Sequence, residues 1–381
     1  MNKLILFCIS LIVFSACQNK PTKTEEVDDG FMPPPIWNSS MQNMKQTMIS
    51  LQPYIFNKVL FNDQDNFQFL SKSIHKLAIE SANIKHDPMI LNRDPTVRFV
   101  AHQFADELQR ADENFKGSWK EYSRSQLVKV TSYCLECHTR LHQGPAFQKD
   151  DMEAPFMKTL PVADQIEFQV AFRKYDSAYK MVIENLSGKI KNKESNFKID
   201  RVVQLGLLIS VQYLKDIEKT LKITQAIDHN PSVPAYLKQS NEMWKKSIEN
   251  WSHQGNINTL VQIRSLVSGR ISEIEDMRAI SALLQLLTND LNQDELGEAL
   301  MLTGQSYEAL HAISVMSLDE NYYESCIRKT PETKWAPICL KKLTDSLVMG
   351  YSGSGGTRIP WHVTAHLEEL KNVIKKSEAN K

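Results

Sequence analysis

Apolar residues recur along most of this chain at intervals of three and four, the period of a helix with one buried stripe. Between residues 38 and 143 the pattern resolves into four such segments. The first carries Met41, Met44, Met48, Leu51 and Ile55 on one face, and the second Phe67, Leu70, Ile74 and Leu77. The third opens at Asp94-Pro95, a capping residue followed by a proline where a first helical turn tolerates it. It runs through Val97, Val100, Phe104, Leu108, Ala111 and Phe115. The fourth carries Leu127, Val130, Cys134, His138 and Leu141. Short polar connections with Pro88, Pro95 and Gly117 as breakers predict an up-down-up-down arrangement of antiparallel neighbours.

The periodicity lapses over 144–161, where three prolines fall within GPAFQKDDMEAPFMKTLP, and this stretch reads as a linker. Amphipathic helical patterns resume from 162 to the C-terminus. Alternation of period two is nearly absent, so the expectation is an all-α protein: a four-helix domain over 38–143 and a second helical domain over 162–381. Gly350-Tyr351-Ser352-Gly353-Ser354-Gly355-Gly356 interrupts the late helices. It lacks the Lys-Ser/Thr that would make it a phosphate loop, and is expected to be a flexible loop.

The first residues break the amphipathic rule. Lys3 precedes an apolar run from Leu4 to Phe14, too short to cross a bilayer as a helix but suited to an export signal. The run ends in Phe14-Ser15-Ala16-Cys17, which resembles a bacterial lipoprotein signal. The resemblance implies that residues 1–16 are removed, that Cys17 is lipidated, and that residues 17–37 tether the protein to a membrane. Family sorting rules imply the outer membrane, facing the periplasm, since Gln18 rather than Asp follows Cys17. Residues 18–36 mix charges with a Pro33–Pro35 run and hold little to bury, as a tether should.

Charge adds one exclusion. Lys+Arg and Asp+Glu both number 45, so no net charge points to nucleic acid or to an anionic surface. The six cysteines then direct attention to chemistry. Cys8 departs with the signal and Cys17 takes lipid. Cys134 and Cys137 stand together, and Cys326 and Cys339 lie apart from them.

Cys134-Leu135-Glu136-Cys137-His138 has the C-x-x-C-H spacing. On a helix, positions i, i+3 and i+4 share a face. Two thiols there reach both vinyl groups of one haem, while the imidazole meets the iron from the same side. A zinc half-site needs a second Cys/His pair, and His142 is the nearest candidate. A thioredoxin-like pair needs a strand–helix context, and a simple disulfide is the remaining alternative. One covalent haem c is the reading favoured here.

With four helical segments ahead of the motif, residues 38–143 resemble the cytochrome c-prime and c-556 family, four-helix bundles with C-x-x-C-H late in the last helix. The resemblance implies His138 as proximal iron ligand and a distal residue early in the first helix. Low-spin members place a methionine there, often as Met-Lys, and Met44-Lys45 matches. Met41 and Met48 share its stripe, so either is an alternative, as is an open site. His75 and His102 are weaker candidates.

His/Met ligation would make the protein an outer-sphere electron carrier rather than an enzyme. An open distal site would favour nitric oxide or carbon monoxide. A third possibility is a helical scaffold with a redox-responsive haem domain. No catalytic triad or paired-carboxylate site is apparent, and the redox partner is not legible. Ala299 to Leu347, with Gly304, Tyr307, Tyr323, Cys326 and Pro331, resembles one degenerate tetratricopeptide helix pair, which makes 162–381 a candidate protein-binding region.

Cys326 and Cys339 should form a disulfide. Tyr322–Thr330 and Lys334–Met349 read as antiparallel helices turning at Pro331–Thr333, and the two cysteines lie equidistant from that turn. In an oxidising compartment, facing thiols close.

Overall fold

In the computed structural model, the described residues are 35–85, 95–140, 158, 160–171, 173–188, 196–310 and 318–379. The protein is all-α apart from one small hairpin. The chain begins with α1 (Pro35–Ile55), the short α2 (Lys58–Asn62) and a single 3-10 turn. Three long helices follow: α3 (Phe67–Lys85), α4 (Pro95–Lys116) and α5 (Lys120–Arg140). All four expected helical segments are present. Among the described side chains their apolar stripes are buried almost as the periodicity predicts, with Met41, Phe67 and Cys134 only half-buried.

Polar ties fix the direction of each pair. The Asn43 amide donates to Glu80 at 2.8 Å and the Tyr54 ring packs on Phe69, so α1 and α3 are antiparallel. Lys85 meets Asp106 at 2.7 Å and His75 meets Asp112 at 2.8 Å, which makes α3 and α4 antiparallel as well. Asn114 donates to Gln126 at 2.8 Å, and Phe104 lies 6.1 Å from Tyr133, giving the same sense to α4 and α5.

Beyond the break lie α6 (Val162–Ala171), α7 (Tyr175–Leu186) and α8 (Asn196–Leu207), which runs into a wider-wound segment, Leu208–Tyr213. Then come α9 (Ile217–His229), α10 (Ala235–Gln254), α11 (Leu260–Ser268), α12 (Glu273–Leu286) and α13 (Gln293–Ala309). The chain ends with α14 (Asp319–Lys329), α15 (Trp335–Gly350) and α16 (Trp361–Ala379). Capping boxes start three of them: Thr259 with Gln262, Ser272 with Glu275, and Asn292 with Glu295. Each satisfies otherwise orphaned N–H groups of a first turn.

Residues 33–381 form one compact unit. α5 packs on α6 and α4 packs on α14, and Val100 of α4 lies in the same core as the later helices. The two helical sets that flank 144–161 are therefore packed side by side. Most of that stretch lies outside the described residues.

Within the later set, α12, α13, α14 and α15 each pack on the next. Gly304 of α13 is required there: a Cβ would stand 2.6 Å from Cε1 of Tyr323 on α14. The glycine of the tetratricopeptide-like stretch is thus a close-approach residue. Cys326 and Cys339 are joined, with Cα atoms 6.3 Å apart and both residues fully buried. The Gly350–Gly356 stretch departs from the flexible loop expected of it. Ser352–Gly353 pairs antiparallel with Gly356–Thr357, and Gly356 supplies the positive φ of +99° that the turn needs.

Asp276, in the first turn of α12, is wholly buried and ion-paired with Arg270, whose Nη2 donates to Oδ1 at 2.8 Å. Burial outweighs this pairing and lifts the carboxyl to about 7. The folded chain then holds a proton that the unfolded chain releases near the ordinary value of 3.8. Its contribution is greatest at low pH and is lost as pH rises from about 4 to 7, by up to about 4 kcal/mol. Urea denaturation across that range should show a smaller pH slope for Asp276→Asn than for the unaltered protein.

Candidate functional site

α5 is continuous through Arg140, so Cys134, Cys137 and His138 occupy its last two turns. Their backbone positions are those the i, i+3, i+4 argument requires. The side chains of Cys137 and His138 lie outside the described residues, as do Leu141 and His142.

Cys134 takes part in no disulfide among the described residues. The residue keeps some accessible surface, but its sulfur is set deeply enough that burial pushes the thiol up to about 12. A redox-active pair of the thioredoxin kind needs the opposite: a lowered thiol near a helix N-terminus. Cys134 is an apolar-facing group near a helix C-terminus, so the local electrostatics disfavour that alternative. Next to it, Tyr133 packs on Phe104, and burial raises its phenol above the usual range.

The opposing methionines are placed by register. Arg124 Nη1 donates to the Ile55 carbonyl at 3.2 Å, and Lys58 meets Glu121 at 3.5 Å, so α1 runs antiparallel to α5 from that end. Stepping back along α1 for each step forward on α5 sets Met44 level with Leu135, to within a turn. Met41 falls level with His138 and Met48 with Thr131. Met44 and Met48 are buried, at 5% and 8% exposure, whereas Met41 is half-buried. Met44 and Met48 are the two buried methionines on this face, and Met44 lies nearer in level to the motif.

The two histidines part company. Nδ1 of His75 lies 2.8 Å from Asp112 and 3.1 Å from Nζ of Lys116, in a half-exposed cluster. That cluster is level with Asn114 and hence with Gln126, about 12 Å along the axis from Cys134. His75 is therefore tied elsewhere. His102 stands two residues from Phe104 on α4, at the level of the motif, and is partly buried.

Gln52 is a residue that the sequence reading missed. It is 1% exposed, and neither of its amide atoms has a hydrogen-bond partner among the described residues. A buried orphan amide costs about 1–3 kcal/mol. Its signal was available: Gln52 continues the Met48–Ile55 stripe at the i+4 position, a polar residue on an apolar face.

These residues fit a covalently held haem. The donor set would be two thiols and an imidazole on one helix, with the buried Met44 within a turn of their level on α1. No group of three or more candidate metal-binding side chains occurs among the described side chains, which do not include those of Cys137 and His138. No protein-family model matches the chain, nor does any curated protein or solved structure.

Proposed function

We propose that this protein is an exported, lipid-anchored monohaem cytochrome c that passes single electrons between partner proteins. Cys134 and Cys137 would hold the haem, His138 would be the proximal ligand and Met44 the distal one, with Met41 and Met48 as its alternatives. The observation that carries the reading is the C-x-x-C-H sequence at the end of α5, with buried Met44 level with it across the helical set. When bound, the haem supplies a one-electron iron couple whose potential His/Met ligation raises.

The chain's own residues supply the setting. Met48, Leu51, Phe104, Leu108 and Leu127 exclude water from the interior of the four helices. A dry, close-packed surround limits the rearrangement that accompanies a change in charge. The Met44 thioether is soft and conformationally adaptable, suited to an iron ligand as to core packing. Cys17 would keep the protein at the outer membrane, facing the periplasm; it lies outside the described residues. The helices over 162–381 would carry a protein partner, a role supported by the resemblance of 299–347 to a tetratricopeptide pair.

Absorption spectra of the purified protein, oxidised and reduced, test this reading. The ferric protein should be low-spin with the weak near-infrared band of methionine–iron ligation, and Met44→Ala should lose that band. A high-spin spectrum in the unaltered protein would instead favour small-gas binding at an open distal position.

A further inference from the structure

The glycine-rich stretch between α15 and α16 is the feature that electron transfer leaves unexplained. Its hairpin stands clear of the body, since a Cβ added at Gly350, Gly353, Gly355 or Gly356 would meet nothing within 4 Å. Every residue from Met349 to Arg358 is exposed. Large exposed side chains flank the hairpin at the end of α15 and the start of α16: Met349 is 72% exposed and Trp361 82%, and Tyr351 precedes the first strand. The Arg358 N–H donates to the Tyr351 carbonyl at 3.1 Å, which holds these shoulders together at the base.

Charge narrows the occupant. Between Asp345 and Glu368 the chain has no acidic residue, while it carries Arg358, His362 and His366. The two flanking acids are neutralised, Asp345 by Lys341 at 2.8 Å and Glu368 by Lys371 at 2.5 Å. His366 faces Glu324 and Glu369, away from this end, whereas His362 is exposed against Trp361. Asp319 and Glu320 on α14 are engaged one turn earlier, by Ser346. Exposed Trp and Tyr on a stretch whose one permanent charge is Arg358 match the composition of an interfacial membrane contact.

We infer that the hairpin of residues 349–361 docks on a bilayer containing anionic phospholipid, with Met349, Tyr351 and Trp361 seated among the headgroups and Arg358 against a phosphate. This rests on the Cys17 anchor of the proposed function and not on the haem. The roughly 18 residues from Cys17 to Pro35 reach at most about 60 Å when extended. That exceeds the radius of gyration of about 20 Å expected for a body of this size, so the tether does not bar this end from the surface. Anchoring makes the contact intramolecular, and a weak partition then suffices to hold one face towards the membrane.

The test uses the chain without its signal and with Cys17→Ser, so that only the body can bind. It is sedimented with vesicles of phosphatidylcholine alone, or of phosphatidylcholine and phosphatidylglycerol. The unacylated chain should bind the anionic vesicles, and Met349→Ser, Tyr351→Ser and Trp361→Ser combined should weaken binding by about fivefold or more. Arg358→Glu should erase the preference for anionic vesicles. Trp119→Ala, an exposed tryptophan elsewhere, should change neither, and thermal melts confirm that each variant folds. Equal sedimentation of the triple variant, or none of the parent, overturns the proposal. So does a dimer in solution that the triple variant dissolves without any vesicle binding, which would give the face to a second copy. Release of Cys17→Ser from the membrane fraction is scored separately, so failure of the anchor and failure of the hairpin are distinguishable.

Discussion

Replacing Cys134 and Cys137 together by alanine is expected to abolish covalent haem on this chain. After acid–acetone extraction, intact-mass measurement should find one haem retained on the unaltered protein and none on the double variant. The expected effect is all-or-none because thioether bonds survive a solvent that removes a group held by ligation and packing alone. Both positions lie on one face of a continuous helix, so neither variant alone need be complete: one thiol still reaches one vinyl group. The double variant removes both. Cys134 packs inward, and alanine in its place is helix-favouring and apolar, so α5 should survive the change. A haem that extracts completely from the unaltered protein would end the cytochrome reading, whatever the fold.

Loss of the Cys326–Cys339 bond carries the second large effect. Replacing both by alanine should destabilise the protein by up to about 3 kcal/mol, the loop-closure value for a ring of this size. α14 and α15 already turn back on each other through Thr330 and Thr333, whose hydroxyls donate to Cys326 and Thr330 carbonyls at 2.7 and 2.9 Å. A turn that persists in the unfolded chain would reduce the effect below that ceiling. Both cysteines are fully buried, so alanine is the correct replacement, because a buried serine hydroxyl adds its own cost. The checks are urea denaturation midpoints and thiol titration of denatured, unreduced protein. Two titrating thiols from these positions would show the bond absent in solution.

The sulfur bridge also shows why some long-range features were legible. The sequence places Pro331–Thr333 midway between the two cysteines, and a short helical hairpin converts equal distance from the turn into equal height. No third element intervenes, so spacing along the chain translates directly into spacing in space. Gly304 was legible only as a motif letter. Its reason, the Tyr323 ring against α13, depends on how two helices rotate about their axes. The hairpin was misread because Gly and Ser carry no periodic signal, and because strands this short pair through backbone alone.

The sequence by itself determined the helical class, the stripes that α1, α3 and α4 bury, and the helix face shared by positions 134, 137 and 138. These are local properties: the 3.6-residue period acts within one segment and needs no knowledge of its neighbours. Only the tertiary structure decided that Met44 and Met48 are buried while Met41 is half-exposed, that His75 is engaged by Asp112 and Lys116, and that Gln52 is buried without a partner among the described residues. It alone packs α4 and α5 against helices from beyond the 144–161 break, and it alone buries Asp276. Each of these depends on register and rotation between segments remote in the chain. A stripe states that a side chain turns inward, and packing selects which inward side chains meet.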